Sequence, residues 1–241
     1  MGRAPGLVIE TIAFDGDDTL WHNETLFSIT QARFAQLLEP YGDFADLPET
    51  LVATERRNLV VFGYGIKGFI LSMIETAIDV TGGRVQAGDI QAIIDAGKSM
   101  RDHPVELLDG VREVVEALAG GSQRLMVITK GDLFDQESKL AGSGLAELFD
   151  VIEIVSEKDP STYRRILDRH DVDPAAFLMV GNSLRSDVLP VVEVGGRAVH
   201  VPYEVTWALE RVDAVDGRRP GVWELDSISA LPQLLAELEA A

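Results

Sequence analysis

The amino-acid sequence predicts an α/β protein: a doubly wound parallel sheet with an inserted all-α domain. Three features lead to this fold class. An apolar strand opens the chain, helical patterns without a strand series occupy about residues 24 to 100, and strands alternate with helices from about residue 106 onward. Such alternation favours a parallel sheet with helices on both faces. The length, 241 residues with 46% hydrophobic side chains, suits one large core with an insertion.

The first predicted strand runs through the apolar residues from Leu7 to Phe14 and ends in an acidic segment. Asp15, Asp17 and Asp18 follow within four positions. Buried carboxylates are costly unless they are paired or bound to a metal, so core packing does not explain them. The simpler alternative is an acidic turn with an Asp-rich cap, since Asp is a common turn residue.

The residues after the acidic segment are helical in pattern. Apolar side chains recur near a 3.6-residue period over 24–38, and 69–80 and 90–100 also resemble helices. The run Gly63-Tyr64-Gly65-Ile66-Lys67-Gly68 fits the dinucleotide fingerprint G-x-G-x-x-G, but no parallel βαβ unit surrounds it. We therefore expect a turn between two helices here, with Tyr64 and Lys67 facing a substrate.

The second half of the chain supplies the rest of the predicted sheet. Strands are expected at 125–129, 151–155, 177–180, 198–201 and, more weakly, 222–225, and helices at 111–118, 133–141, 160–169, 187–194 and 227–239. Gly142 and Gly144 stop one helix, and Asp159 with Pro160 starts the next. The predicted core domain comprises residues 1–21 and 105–241, and the predicted helical domain comprises residues 22–104.

Polar side chains follow each of the first four predicted strands, where the strand ends. They are Asp15, Asp17 and Thr19 after the first, Thr129 and Lys130 after the second, Lys158 after the third, and Asn182 and Asp187 after the fourth. Doubly wound sheets bind ligands at the carboxyl ends of their strands, and right-handed crossovers bring those ends to one edge. We expect these side chains to meet there.

Their chemistry is that of a hard oxygen site. Carboxylates with an amide oxygen and water suit Mg²⁺, while a lysine and a hydroxyl can hold phosphate oxygens. An Asp can be a covalent nucleophile toward phosphorus, and a second Asp can protonate the leaving group and then activate water. Spacing of i and i+2 in an extended chain places Asp15 and Asp17 on the same side, which leaves Asp18 for the turn.

In this order and placement, Asp15-x-Asp17-x-Thr19, Thr129, Lys158 and Gly181-Asn182-Ser183 with Asp187 resemble the four motifs of the haloacid dehalogenase (HAD) superfamily. The insertion after the first motif resembles the helical cap of its phosphatase and dehalogenase branch, on a Rossmann-like core. The resemblance covers the whole chain.

The resemblance implies a role for each motif residue. Asp15 is the nucleophile and a Mg²⁺ ligand, and Asp17 is the general acid/base whose carbonyl also binds the metal. Thr129 and, beside it, Lys130 bind the phosphoryl group. Lys158 also binds the phosphoryl group and neutralises charge on it and on Asp15. Asn182 and Asp187 complete or support the metal shell. One departure is that the phosphatase motif usually begins Gly-Asp, so Asn182 supplies an oxygen without its charge.

The expected activity is Mg²⁺-dependent hydrolysis of a small phosphate monoester through a phospho-Asp15 intermediate. Two alternatives remain. One is haloacid dehalogenation, which needs neither a metal nor Asp17. The other is a binding protein with weak catalytic activity, and the only observation in its favour is Asn182. An assay of an aryl phosphate with and without Mg²⁺ separates the three.

Bulk composition limits the partners. The formal net charge of −19 disfavours nucleic acid, which is bound by neutralising phosphates with Lys and Arg. The absence of cysteine excludes disulfides and thiolate metal sites and is typical of a reducing cytoplasm. There is no run of 18 apolar residues, so no membrane span is expected. The expected partner is a small phosphorylated metabolite, and the protein is expected to be a monomer or homodimer.

Overall fold

The computed structural model describes residues 8–205, 207–210 and 219–240. The described residues form six strands: β1 Thr11–Phe14, β2 Arg124–Lys130, β3 Val151–Val155, β4 Phe177–Gly181, β5 Arg197–His200 and β6 Val222–Glu224. They pair into one parallel sheet in the order β3-β2-β1-β4-β5-β6. The predicted fold class is confirmed.

The α-helices of the described residues fall into two groups. The inserted helices are α1 Glu24–Leu38, α2 Leu47–Phe62, α3 Ile66–Val80 and α4 Ala87–Arg101. Those of the sheet domain are α5 Val111–Ala119, α6 Leu133–Ser143, α7 Pro160–Arg169, α8 Leu189–Glu193 and α9 Leu231–Ala240. No described helix has the length and hydropathy needed to span a bilayer.

The predicted elements agree with the structure except at a few ends and one helix. Strand β1 starts at Thr11 rather than near Leu7, which lies outside the described residues, and Val8 before it is exposed. The predicted helix 187–194 is shorter, because a wide π-type turn over Leu184–Val188 precedes α8. Helix α2 was not predicted as a separate helix, and it ends at Phe62, directly before the glycine-rich run.

Each layer of the molecule buries its own apolar cluster. Both faces of the sheet are covered, so the side chains of β1 are buried on either side: Ile12 and Phe14 face one cluster and Ala13 the other. The inserted helices enclose a third cluster that includes Phe34, Leu51, Phe69, Met73 and Ile93. A separate core for α1–α4 is what an independent cap requires, although the boundaries at residues 22 and 104 remain a prediction.

The glycine-rich run, residues 63–68, is one of the places at which the inserted helices touch the sheet domain. Gly63 and Gly65, with φ of 72° and 99°, turn the chain between α2 and α3. Tyr64 donates a hydrogen bond of 2.7 Å to Glu157 beyond β3, and Lys67 pairs with Asp132 beyond β2 at 2.7 Å. The expected turn between helices is therefore present, and it lies against the carboxyl edge of the sheet.

Candidate active site

Lys158 joins two buried carboxylates at the carboxyl edge of the sheet. Its Nζ lies 2.5 Å from Oδ1 of Asp15, directly after β1, and 2.7 Å from Oδ1 of Asp187. All three side chains are buried, and Asp187 is 0% exposed. Strands β3, β1 and β4 supply these groups, since Lys158 follows β3 and Asp187 follows β4. The structure thus brings together three residues that the sequence places up to 172 positions apart.

The charges of this triad do not cancel. Burial and then the charge of Asp187 raise the pKa of Asp15 to about 7, although Lys158 acts in the opposite direction. Burial by itself would lower the pKa of Lys158, but the two carboxylates outweigh it and raise that pKa above its ordinary value. When both carboxylates are ionised, two carboxylates and one ammonium leave one negative charge, which favours a cation at this position.

The wide turn after β4 holds Asp187 in place. Oδ2 of Asp187 accepts a hydrogen bond of 3.0 Å from the backbone N–H of Ser183. A Cβ on Gly181 would lie 2.3 Å from Cγ of Asp187, so the turn can close only over a glycine. Both carboxylate oxygens of Asp187 therefore have hydrogen-bond partners, and this geometry suits a residue that orients Lys158. Its predicted role as a metal ligand stays a prediction.

Asp17 has different partners from Asp15. Lys139 on α6 lies 3.0 and 3.1 Å from its two oxygens, Gln136 donates a bond of 2.8 Å, and the indole of Trp21 donates one of 2.7 Å. Burial alone would lower the pKa of Lys139, but Asp17 and then Asp135 raise it. Asp15 and Asp17 line one cavity, yet each carboxylate is held by its own lysine.

The end of the acidic segment forms a tight turn. Asp18 has a φ of 61°, and its carboxylate accepts the backbone N–H groups of Asn23 and Glu24 at 2.9 and 3.0 Å, which starts α1. The structural role expected for Asp18 is confirmed. Oγ1 of Thr19 accepts the Asn182 backbone N–H at 3.0 Å and lies 3.4 Å from Oδ1 of the same residue, so the first and fourth motifs are joined directly.

The two residues at the end of β2 differ in how accessible they are to a phosphoryl group. Thr129 is buried at the cavity wall and donates a 3.3 Å bond to Gln136. Lys130 pairs with Glu210, lies 3.0 Å from Oγ of Ser186 and sits 4.5 Å above the ring of Tyr64. Its ammonium is therefore engaged by protein groups, and its role in phosphoryl binding also stays a prediction.

These groups surround a cavity of about 150 Å³ between the sheet and the inserted helices. That is below the range of roughly 300–1,000 Å³ for drug-sized ligands, so the cavity suits a small molecule. Its floor is the carboxyl edge of the sheet, and its roof includes Glu55, Asn58, Tyr64 and Phe69. The expectation that Tyr64 faces the substrate site agrees with this position. Lys67 is largely exposed and does not line it.

Several residues that line the cavity were not predicted from the sequence. They are Gln136 and Lys139 on α6, Glu55 and Asn58 on α2, and Trp207 and Glu210 in the loop after β5. The only sequence signal for any of them is the i, i+3 spacing of Gln136 and Lys139 on the helix that follows Thr129, which places them on one face. The others lie in segments without a motif.

The oxygen atoms of the site that lack a strong hydrogen-bond partner within the described part of the chain would suit Mg²⁺. Among the described residues no cluster of three or more His, Cys, Asp or Glu side chains could hold a metal ion. Nevertheless Oδ2 of Asp15 accepts no hydrogen bond from the described residues, Asn182 lines the same cavity, and the triad carries one surplus negative charge when both carboxylates are ionised. Mg²⁺ is commonly bound through one or two carboxylates together with water and substrate phosphate, which this donor set allows.

The structure thus combines a parallel α/β sheet with a buried Asp–Lys–Asp triad beneath the inserted helices. The model of the haloacid dehalogenase-like hydrolase family matches residues 9–195, and the chain belongs to that family. None of the curated proteins matches this chain.

Solved structures extend this likeness. A haloacid dehalogenase-like family hydrolase from Xanthomonas campestris is 44% identical, covers 98% of each chain and has a TM-score of 0.87. A 2-haloacid dehalogenase from Pseudomonas syringae pv. Tomato DC3000 is 24% identical, with 95% of this chain and 99% of that chain covered and a TM-score of 0.63. A predicted phosphoglycolate phosphatase from Haemophilus somnus 129pt is 17% identical, with coverage of 94% and 98% and a TM-score of 0.61. The last two share the fold.

Proposed function

We propose that the protein is a Mg²⁺-dependent phosphatase that hydrolyses a small phosphate monoester through a phospho-Asp15 intermediate. The observation that carries the proposal is Asp17, a second carboxylate in the cavity of Asp15. An alkoxide is a poor leaving group and needs a proton, whereas a halide does not, so a second acid is useful for phosphate esters and superfluous for haloacids.

In the proposed reaction Asp15, Asp17 and Lys158 each have a separate role. A carboxylate oxygen of Asp15 attacks phosphorus, the bond from phosphorus to the ester oxygen breaks, and Asp17 gives its proton to that oxygen. Water then attacks the phosphorus of the acyl phosphate and returns a proton to Asp17, releasing phosphate and restoring Asp15. Lys158, 2.5 Å from Asp15, neutralises charge on the nucleophile and the phosphoryl oxygens. The Lys139–Asp17 pair must open for this proton transfer.

Asp15, the carbonyl of Asp17 and Asn182 would hold the metal, with Asp187 beside them. A bound Mg²⁺ would neutralise phosphoryl oxygens and orient the ester for attack. The cavity needs this charge, because each of its three lysines, Lys130, Lys139 and Lys158, already has a carboxylate partner. No arginine is among the described residues that line it.

Turnover of p-nitrophenyl phosphate with Mg²⁺ or with EDTA tests the proposal. We expect activity that needs Mg²⁺, a loss of about 10⁴-fold or more in Asp15→Asn, and no loss in Asp43→Asn, whose side chain is exposed in the loop before α2. Asp17→Asn should release about one equivalent of p-nitrophenol in a burst and then turn over slowly, because this leaving group needs little acid but the second step needs a base. The absence of Mg²⁺-dependent turnover would overturn the proposal.

Haloacid dehalogenation is the second candidate, and Asn182 is the observation that favours it. An amide in place of a carboxylate removes one charged metal ligand, and displacement of a halide from carbon by Asp15 needs no metal. The same donor change is compatible with a weakly catalytic binding protein. Chloride release from 2-chloropropionate in EDTA, lost in Asp15→Asn, would establish dehalogenation instead, and inactivity toward both substrate classes would leave the binding protein.

A further inference from the structure

The roof of the cavity contains a buried carboxylate for which the proposed reaction has no use. Glu55, on α2, is 7% exposed and lines the same cavity as Asp15. Oε2 accepts a bond of 3.2 Å from the indole N–H of Trp207, while Oε1 accepts none from the described residues. No lysine or arginine nitrogen of the described residues lies within 4.0 Å of this carboxylate, so its charge has no cationic partner there.

A second acceptor lies one turn further along the same face of α2. Asn58 is 9% exposed, and its Nδ2 donates to Oγ of Ser72 at 3.1 Å and to Oε2 of Glu75 at 2.8 Å. Since Oγ of Ser72 itself donates to the carbonyl of Gly68 at 2.8 Å, these bonds fix which end of the amide is the donor. Oδ1 of Asn58 accepts no bond from the described residues, so positions i and i+3 of α2 present two acceptors without a donor.

The charged and aromatic residues that line the cavity around Glu55 favour a positively charged ligand. Three lysines line the cavity, against seven carboxylate residues: Asp15, Asp17, Asp18, Glu24, Glu55, Asp187 and Glu210. Phe27, Tyr64, Phe69 and Trp207 add aromatic walls, which attract cations through their faces. Burial raises the pKa of Glu55 to about 7, against a smaller effect of the Trp207 N–H, as expected of a carboxylate that lacks a counter-charge.

We propose that Glu55, assisted by Asn58, binds a protonated amine on the leaving alcohol, so that the substrate is a small amino-alkyl phosphate. The inference rests on the proposed phosphatase function and gives its substrate class. The phosphoryl group faces the Asp15–Lys158 floor, and the ammonium faces the Glu55 and Asn58 oxygens of the roof. Removal of a hydrogen-bonded charged partner reduces binding by about 10- to 100-fold, which sets the size of the expected effect.

The test compares three phosphates that differ in one group, 2-aminoethyl, 2-hydroxyethyl and n-propyl phosphate, with 3-aminopropyl phosphate to allow for spacing. In the wild type, kcat/KM for one of the amino compounds should exceed that for n-propyl phosphate by about 10-fold or more. In Glu55→Gln that ratio should fall to about 1. In Glu49→Gln, an exposed position of the same helix, it should be unchanged.

A binding measurement separates this inference from the proposed function. Calorimetry on Asp15→Asn, which cannot turn over, should show tighter binding of the amino compound than of n-propyl phosphate, and Glu55→Gln in that background should remove the difference. Equal kcat/KM for the amino and propyl compounds in an active wild type, or a preference for the hydroxyl compound, would overturn the amine assignment and leave the phosphatase standing. Inactivity toward all phosphates, with no amine preference in binding, would overturn both.

Discussion

Lys139 Nζ lies 3.0 and 3.1 Å from the two carboxylate oxygens of Asp17, and 2.7 Å from the amide oxygen of Asn23 at the start of α1. One lysine on α6 therefore connects the proposed acid/base to the first inserted helix. A movement of α1 away from α6 would break the Lys139–Asn23 contact, so we expect it to change how Lys139 holds Asp17.

Lys139→Met should impair both folding and catalysis. Asp17 would keep Gln136 and Trp21 but lose its counter-charge, and the free energy of unfolding should fall by about 1–3 kcal/mol. We expect kcat to fall about 10-fold or more because Asp17 loses the lysine that positions it. The fall should be larger for an alkyl phosphate than for p-nitrophenyl phosphate, since only the alkyl leaving group depends on a well-placed acid. Lys98→Met, at an exposed lysine of α4, is the control. Equal losses for both leaving groups would contradict the acid role.

Gly181→Ala should reduce activity by displacing Asp187 at the carboxyl edge of the sheet. The new methyl group would meet Asp187 at 2.3 Å, which displaces the carboxylate that holds Lys158. We expect a loss of at least about 100-fold in kcat/KM and a destabilisation of about 1–3 kcal/mol from strain. Gly88→Ala is the matched control, because nothing lies within 4 Å of a Cβ there and alanine favours helix α4. Chemical denaturation and turnover measure both effects, and a fully active Gly181→Ala would refute this account of the turn.

Glu55→Gln should stabilise the protein at alkaline pH. The folded pKa of Glu55, about 7, lies above its ordinary value of 4.5, so the native state holds its proton more tightly than the unfolded state between these values. Stability due to this group therefore falls as pH rises from about 4.5 to 7 and stays reduced above that. The variant should gain about 1–3 kcal/mol over the wild type at pH 8 and almost nothing at pH 4.5. Urea unfolding at both pH values tests this, and a pH-independent difference would contradict it.

Tyr64→Phe should weaken the contact of the inserted helices with the sheet while retaining the ring over Lys130. It removes one hydrogen bond of 2.7 Å to Glu157, whose net value is about 1 kcal/mol. KM should rise a few fold, with kcat unchanged or higher if opening limits release. Tyr41→Phe, whose hydroxyl bonds to Asp89 within the inserted helices, should leave KM unchanged. An unaltered KM in Tyr64→Phe would show that this contact does not govern substrate binding.

Asn182→Asp should strengthen metal binding. The added charge lies beside Thr19 in the cavity that Asp15 lines, and the Mg²⁺ concentration for half-maximal activity should fall by about 10-fold. A Mg²⁺ titration of the steady-state rate measures this, with Gln36→Glu, at an exposed position of α1 away from the cavity, as a control for added charge alone. No change in the Mg²⁺ requirement would remove Asn182 from the proposed metal shell.

The sequence determined the fold class and the location of the site. Strands and helices alternate because of their hydrophobic periods, and Asp15, Thr129, Lys158 and Asn182 each follow a strand, so parallel pairing alone brings them to one edge. The structure confirms that meeting, and it also confirms Asp18 as a turn residue. These outcomes depend on local chemistry, which a linear sequence contains.

Only the tertiary structure decided which groups hold each carboxylate. The extended spacing predicted Asp15 and Asp17 on one side, yet Lys158 holds the first and Lys139 the second, 122 residues along the chain from Asp17. The acceptors of Glu55 face the same cavity only because α2 packs over the sheet with one particular rotation. Such pairings arise from long-range packing of rigid elements, and no local pattern encodes the rotation of one helix against another.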